Sequence, residues 1–168
     1  MNEMTAAGQA GTKSPTPARK PRTIEQELMK RNKPILLAAL AQIGIATVRF
    51  EYSGSGDSGG FESLTIEPAA GVDDQAARAA YEVTDVKLWW TDTHVWSNAF
   101  KGRVLHQRTS TLAKAIDDLS ESLISSHYGG FENNEGGQGS VVFQVDPAEI
   151  RIDHEWNVMS TESDRVIL

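Results

Sequence analysis

Two alternating apolar runs, one on each side of a glycine-rich stretch, commit the front of this chain to a β-hairpin. Ala46, Val48, Phe50 and Tyr52 alternate with Ile45, Thr47, Arg49 and Glu51; beyond the stretch, Glu62, Leu64 and Ile66 alternate with Phe61, Ser63 and Thr65. A period of two sends one set of side chains to a core and the other to water. The connection reads as about eight Gly, Ser and Asp residues, longer than the usual hairpin loop and with no apolar residue to pin it. A loose polar tip is the expectation.

Within that stretch, Gly56-Asp57-Ser58-Gly59-Gly60 reproduces the surroundings of the nucleophile in chymotrypsin-like serine proteases. Those enzymes place the histidine and aspartate before the serine, and the imidazole must take the serine proton. The first histidine here is His94, and a polar tail, a helix and a strand upstream of Ser58 are too little for the first barrel of that fold. His94, His106, His127 and His154 remain for a reordered triad, but no nucleophile elbow accompanies them. Gly54, Gly56 and Gly59 also match the spacing of a dinucleotide fingerprint. That motif joins a strand to a helix whose N-terminus faces the pyrophosphate, whereas this one joins strand to strand. Neither chemistry is supported, and Asp57 replaces Ser58 as the residue of interest.

Charge sharpens the exclusion. Residues 1–33 carry seven Lys/Arg against three Asp/Glu, and residues 34–168 carry nine against twenty, within an overall net charge of −7. An acidic body repels phosphates, so the fold itself is not expected to bind nucleic acid directly. Basic protein patches and divalent cations are the partners such a surface suits. The absence of cysteine removes disulfides, thiolate metal sites and a thiol nucleophile. The longest apolar stretch, Pro34 to Ala41, is too short for a bilayer and lacks secretory flanks, which predicts a cytoplasmic protein.

Residues 1–22, rich in Ala, Gly, Thr, Pro and Lys, read as a disordered basic arm, and residues 23–168 as a single acidic α+β domain. A helical pattern begins at Thr23, is interrupted at Asn32-Lys33-Pro34, and stops at Gly44, with Asn32 expected to cap the second piece. The segment 68–108 is the least regular. Asp74 to Tyr81 suits a short helix, and Val83 to Thr91 suits a strand with Val86, Leu88 and Trp90 on one face. Trp89, Trp90 and Trp96 crowd around Asp92 and His94, a grouping better suited to a core or partner interface than to base stacking. From Ser110, Leu112, Ala115, Ile116, Leu119, Leu123 and Ile124 form the apolar stripe of a helix ending at Gly129. A last hairpin turns at Asp146-Pro147, with Val141, Phe143 and Val145 on one strand and Ile150, Ile152, His154, Trp156 and Val158 on the other.

Between that helix and that hairpin lies Gly130-Phe131-Glu132-Asn133-Asn134-Glu135-Gly136-Gly137. Two carboxylates and two amides among glycines supply hard oxygen ligands on a backbone that can approach a ligand closely. The spacing is that of neither an EF-hand nor a nonapeptide calcium repeat. Alternation places Glu62 with Leu64 and Ile66, and His154 with Ile152 and Trp156, so two polar side chains are expected on apolar faces, where a Glu–His pair would satisfy both. Asp57, Ser58, Glu62, Glu132, Asn133, Asn134, Glu135 and His154 are therefore the candidate binding residues, converging at one end of the sheet.

The two loops resemble a family of uncharacterised bacterial proteins, common on plasmids and other mobile elements, that pair a Gly-Asp-Ser-Gly hairpin with a Gly-Gly-(Trp/Phe)-Glu-Asn-Asn-(Asp/Glu)-Gly loop. The matching residues are Gly56 to Gly59 and Gly129 to Gly136, with Ile152-Asp153-His154 in the last strand pair. The resemblance covers roughly residues 30–66 and 110–168 and implies no established activity.

The order helix, hairpin, variable Trp-rich segment, helix, hairpin predicts a two-layer sandwich, a mainly antiparallel sheet of two hairpins with two helices on one face. Function is expected to be non-enzymatic: protein binding in the service of a mobile element or phage, such as inhibition of a host defence or nucleic-acid-handling complex. A divalent-metal-dependent hydrolase or nuclease using the clustered carboxylates, with His154 assisting proton transfer, is the alternative. No cofactor is expected beyond a divalent cation.

Overall fold

The computed structural model describes residues 23–91 and 105–158. The basic arm, the Asp92, His94 and Trp96 grouping, and residues 159–168 lie outside the described residues. In chain order the elements are α1 (Thr23–Gln42), β1 (Ile45–Ser55), β2 (Ser58–Pro68), α2 (Asp74–Val83), β3 (Asp85–Thr91), β4 (Leu105–Thr111), α3 (Leu112–Tyr128), β5 (Gly137–Gln144) and β6 (Glu149–Trp156). The fold is α+β. Strands β2-β1-β5-β6 form one sheet, antiparallel throughout, and β3-β4 form a second. The short helix expected from Asp74 is α2, and the Trp-rich middle contributes the paired strands β3 and β4. No described helix is long and apolar enough to cross a membrane.

One hydrophobic cluster joins these pieces. Val48, Phe50 and Tyr52 of β1 and Val141 and Phe143 of β5 meet Leu36 and Leu40 of α1, Tyr81 of α2, Leu88 of β3, and Ala115, Ile116 and Ile124 of α3. The stripe read along α3 is therefore its inward face, and it also carries Ser120, buried and satisfied by donating to the Ile116 carbonyl at 2.7 Å. Thr111 caps this helix, accepting from the Lys114 amide. The other face of the sheet is polar, with Thr47, Arg49 and Glu51 beside Gln144, Val142 and Ser140, and these beside Glu149, Arg151 and Asp153.

Helix α1 runs without a break through Asn32-Lys33-Pro34. The side chain expected to cap a second helix is used sideways instead. Asn32 is buried; its Nδ2 donates to the Trp89 carbonyl and its Oδ1 accepts from the Trp89 amide, both at 2.8 Å. One amide side chain thus stands in for a neighbouring strand on the edge of β3 that faces away from β4. Arg31, one residue earlier, lies over the Trp89 ring at 4.6 Å, and Arg108 covers Trp90 at 3.4 Å. These two tryptophans are packed into the α1–β3–β4 junction.

The strand phase also departs from simple alternation. Between Glu51↔Ser63 and Tyr52↔Phe61 the β1–β2 register shifts by one, leaving Glu62 as the extra residue of a bulge. A bulge reverses the phase beyond it. Phe61, expected outside, therefore packs against Phe50 at 5.3 Å between ring centres. Glu62 is exposed and accepts a hydrogen bond from Ser53, so the expected Glu62–His154 pair does not form.

Replacing Asn32 by Ala would leave the Trp89 amide and carbonyl unsatisfied in a buried setting. An unfolding free energy lower by about 2–3 kcal/mol is expected in chemical denaturation, with secondary structure retained by circular dichroism.

Candidate functional site

The hairpin tip is tight rather than loose. Pairing continues up to Ser55↔Ser58, so only Gly56 and Asp57 lie outside the ladder. Their φ angles of 59° and 66° are the mark of a type I′ turn, whose twist matches that of the flanking strands. Asp is among the few side-chain-bearing residues that enter this region readily. Sequence patterning overestimates the loop because Gly54, Gly59 and Gly60 sit inside strands without side chains to mark the period.

Their lack of side chains has a second cause. The loop after α3 lies directly on this end of the hairpin, and two backbone bonds hold it there. Gly56 N–H donates to the Asn134 carbonyl and Asp57 N–H to the Glu132 carbonyl, both at 3.0 Å. A Cβ on Gly136 would stand 1.7 Å from the Gly54 carbonyl oxygen, and Cβ atoms on Gly54 and Gly59 would stand 2.9 and 3.0 Å from the Phe131 ring. Phe131 rests on this glycine floor and meets Tyr52 edge-on at 5.1 Å. On its other side the loop is tied to the end of β6. Asn157 N–H donates to the Gly136 carbonyl and Asn157 Nδ2 to the Glu135 carbonyl.

The two acidic loops therefore form one corner. Asp57, Ser58, Asn133, Asn134 and Glu135 are exposed there, and Glu132 is half-buried. A polar cleft of about 440 Å³ between the loops is lined by Asp57, Ser58, Ser125, Gly130 and Glu132. Glu62 stays outside this grouping, on the outer face beside Ser53. Ser58 has no imidazole beside it among the described hydrogen bonds. Among the described residues no three His, Asp or Glu side chains are placed to hold one metal ion.

His154 has partners that alternation alone does not reveal. The row Phe61, Tyr52, Gly139, His154 crosses the sheet, and the bare Gly139 lets the Tyr52 hydroxyl reach His154 Nδ1 at 2.8 Å over the intervening strand. Tyr128 stacks on the imidazole at 4.1 Å and Trp156 meets it edge-on at 4.6 Å. Its Nε2 is buried without a hydrogen-bond partner among the described residues. Burial holds the imidazole below its ordinary pKa, with Glu155 opposing, and burial raises the Tyr52 hydroxyl, helped by Tyr128 and Asp153. A neutral imidazole bonded to a neutral phenol is the consistent state. The alternating glycines at 137 and 139 were the available sequence signal for this cross-strand contact.

A larger cavity, about 880 Å³, runs between α1 and α3 and contains none of the predicted site residues. Leu28, Met29, Trp89, Leu119, Leu123 and Ile152 line it.

Fold and site together define a small α+β protein with a polar outer sheet face and one carboxylate-bearing corner whose two loops are hydrogen-bonded to each other. The chain belongs to a family of unknown function (DUF6878), whose model matches residues 28–166. The match runs through the Trp-rich middle that the two-loop resemblance leaves out. No curated protein and no solved structure matches the chain.

Gly136→Ala combines a positive φ with a collision against backbone, and a loss of about 2–3 kcal/mol is expected. Gly60→Ala, with nothing near the added carbon, should stay within about 0.5 kcal/mol of the parent in the same denaturation assay.

Because the folded imidazole binds its proton less readily than the unfolded one, His154 contributes stability that is complete above the unfolded pKa of about 6.5 and is lost as pH falls through the folded value. Thermal melts between neutral and mildly acidic pH should therefore fall more steeply for the parent than for His154→Asn.

Proposed function

We propose that this protein acts by binding another protein, with Asp57, Glu132 and Glu135 meeting a basic surface on the partner. The observation that carries this reading is the pair of backbone bonds from Gly56 and Asp57 to the facing loop. Carboxylates on loops locked to one another lose little conformational entropy on binding, which favours affinity. The excess of acid over base in residues 34–168 supports the choice of a basic partner, since such a charge steers association with positive patches. Grooves built for phosphate are surfaces of that kind. A mobile-element or phage accessory protein that occupies such a groove in a host defence or nucleic-acid-handling complex is the concrete form we favour. The metal-dependent hydrolase reading has no comparable observation behind it.

Capture from bacterial lysate with the parent protein and with Asp57→Asn/Glu132→Gln/Glu135→Gln is the test. A defined protein should be retained by the parent at low salt, lost at high salt and depleted by the triple variant, and should then bind directly in titration calorimetry with at least about tenfold weaker affinity for the variant. Identical capture by both proteins would overturn the proposal. Tight magnesium, manganese or calcium binding, abolished by Asp57→Ala, would favour the metal reading instead.

A further inference from the structure

The two edges of the four-stranded sheet are built differently. Edge strand β2 is interrupted by the Glu62 bulge and ends in Pro68, and Arg78 Nη2 donates to the Ile66 carbonyl at 2.8 Å. These are devices that discourage further pairing. Edge strand β6 has none of them. Its eight residues pair with β5 in unbroken register from Glu149 to Trp156, and it contains no proline.

The backbone groups that β6 presents outward can be identified. Asn157 N–H bonds the Gly136 carbonyl in continuation of the β5–β6 ladder. Hydrogen-bonded positions recur every second residue in an antiparallel pair. Glu155, Asp153 and Arg151 therefore direct their backbone groups at β5. The positions of the Asp153 and Glu155 carbonyls, 2.2 and 3.0 Å from Cβ atoms built on Gly139 and Gly137, agree. Ile150, Ile152 and His154 turn their N–H and C=O groups to the edge away from β5, where no hydrogen bond from the described residues reaches them.

Side-chain order on β6 selects what can add there. A second copy pairing antiparallel about a two-fold axis must match outward residues with outward residues. Centring the axis on Arg151 sets two guanidinium groups face to face, and centring it on Asp153 sets two carboxylates face to face. Centring it on Ile152 puts Arg151 opposite the partner's Asp153 twice over, Ile152 opposite the partner's Ile152, and Ile150 opposite the partner's His154. The like pair in this register, Glu149 with the partner's Glu155, falls at the strand ends, where salt screens it. Ile150 and Ile152 also line the apolar groove between α1 and α3, so an added strand extends the floor of that groove.

We propose that the protein forms a homodimer through antiparallel β6–β6 pairing centred on Ile152, making one continuous sheet from two. This inference is independent of the acidic corner. Sedimentation velocity of the full chain across the micromolar range should show a dimer. Arg151→Asp and Asp153→Arg each set like charges opposite one another and should weaken self-association about tenfold or more. An equimolar mixture of the two variants should regain the dimer as a heterodimer, because each then faces its opposite; repair of the Arg151–Asp153 contact within one chain could not produce that result. Since the chain has no cysteine, Ile152→Cys offers a second reading. Facing residues of a hydrogen-bonded antiparallel pair stand about 5.5 Å apart at Cα, within disulfide range. Mild oxidation should cross-link Ile152→Cys into a covalent dimer and leave Val83→Cys, on α2, uncross-linked. A monomeric parent, a mixture that fails to associate while both variants keep the parent's circular dichroism, or equal cross-linking at positions 152 and 83 would overturn the proposal.

Discussion

The carbonyl of Gly54 occupies nearly the place that a side chain on Gly136 would take, and the organisation of this end of the molecule follows from that close approach. Two backbones in contact exclude side chains from both, so the hairpin and the loop that crosses it are rich in glycine for the same reason. Phe131 then has a flat floor to rest on, and the amides of the I′ turn are left facing the carbonyls of the loop. The carboxylates are carried on the remaining positions, outside the contact. What reads as a flexible polar tip is a packing surface turned edge-on.

Three buried or part-buried polar side chains tie this assembly together. Asn32 closes the open edge of β3, Tyr52 meets His154 across a glycine, and Ser120 bonds back into its own helix. Each replaces hydration lost on burial with one or two short bonds, which is why the core tolerates them. By contrast the carboxylates of the corner are exposed or half-buried. Not every buried polar atom is matched: the Tyr81 hydroxyl and His154 Nε2 are buried without a hydrogen-bond partner among the described residues.

Much of the fold is legible in the sequence where a period is uninterrupted. The stripe from Leu112 to Ile124, the alternation from Val48 to Tyr52 and that from Val86 to Trp90 all correspond to the observed elements, whereas a register shift beside Ala46 puts Ile45 in the core instead. Legibility fails where one residue changes the phase or where glycine erases it. The bulge at Glu62 moves Phe61 inward and Glu62 outward, and nothing in the local pattern announces it. Pro34 and Asn32 read as a break because local rules do not know that Trp89 will claim the asparagine. Strand β4 has no apolar alternation to show it, since the residues opposite Val86, Leu88 and Trp90 are Ser110, Arg108 and His106. At the site, the nearness of the two loops was legible as a hypothesis about one end of the sheet, whereas Tyr52 and Tyr128 around His154 required the register and the packing of α3.

Strand β1 sits between a neighbour that follows it immediately and one far along the chain. The bond from Arg49 to Ser140 joins residues 91 positions apart, against the two-residue turn that links β1 to β2. Closing so long a segment carries an entropic penalty before any contact repays it, and topologies of this kind fold more slowly than local ones. The first hairpin can form early, with its glycine floor bare. Only when β5 arrives alongside β1 do Phe131 and the Asn134 carbonyl find their seats. The acidic corner is thus complete only in a chain that has finished folding, so its display is itself a report on the integrity of the long-range pairing.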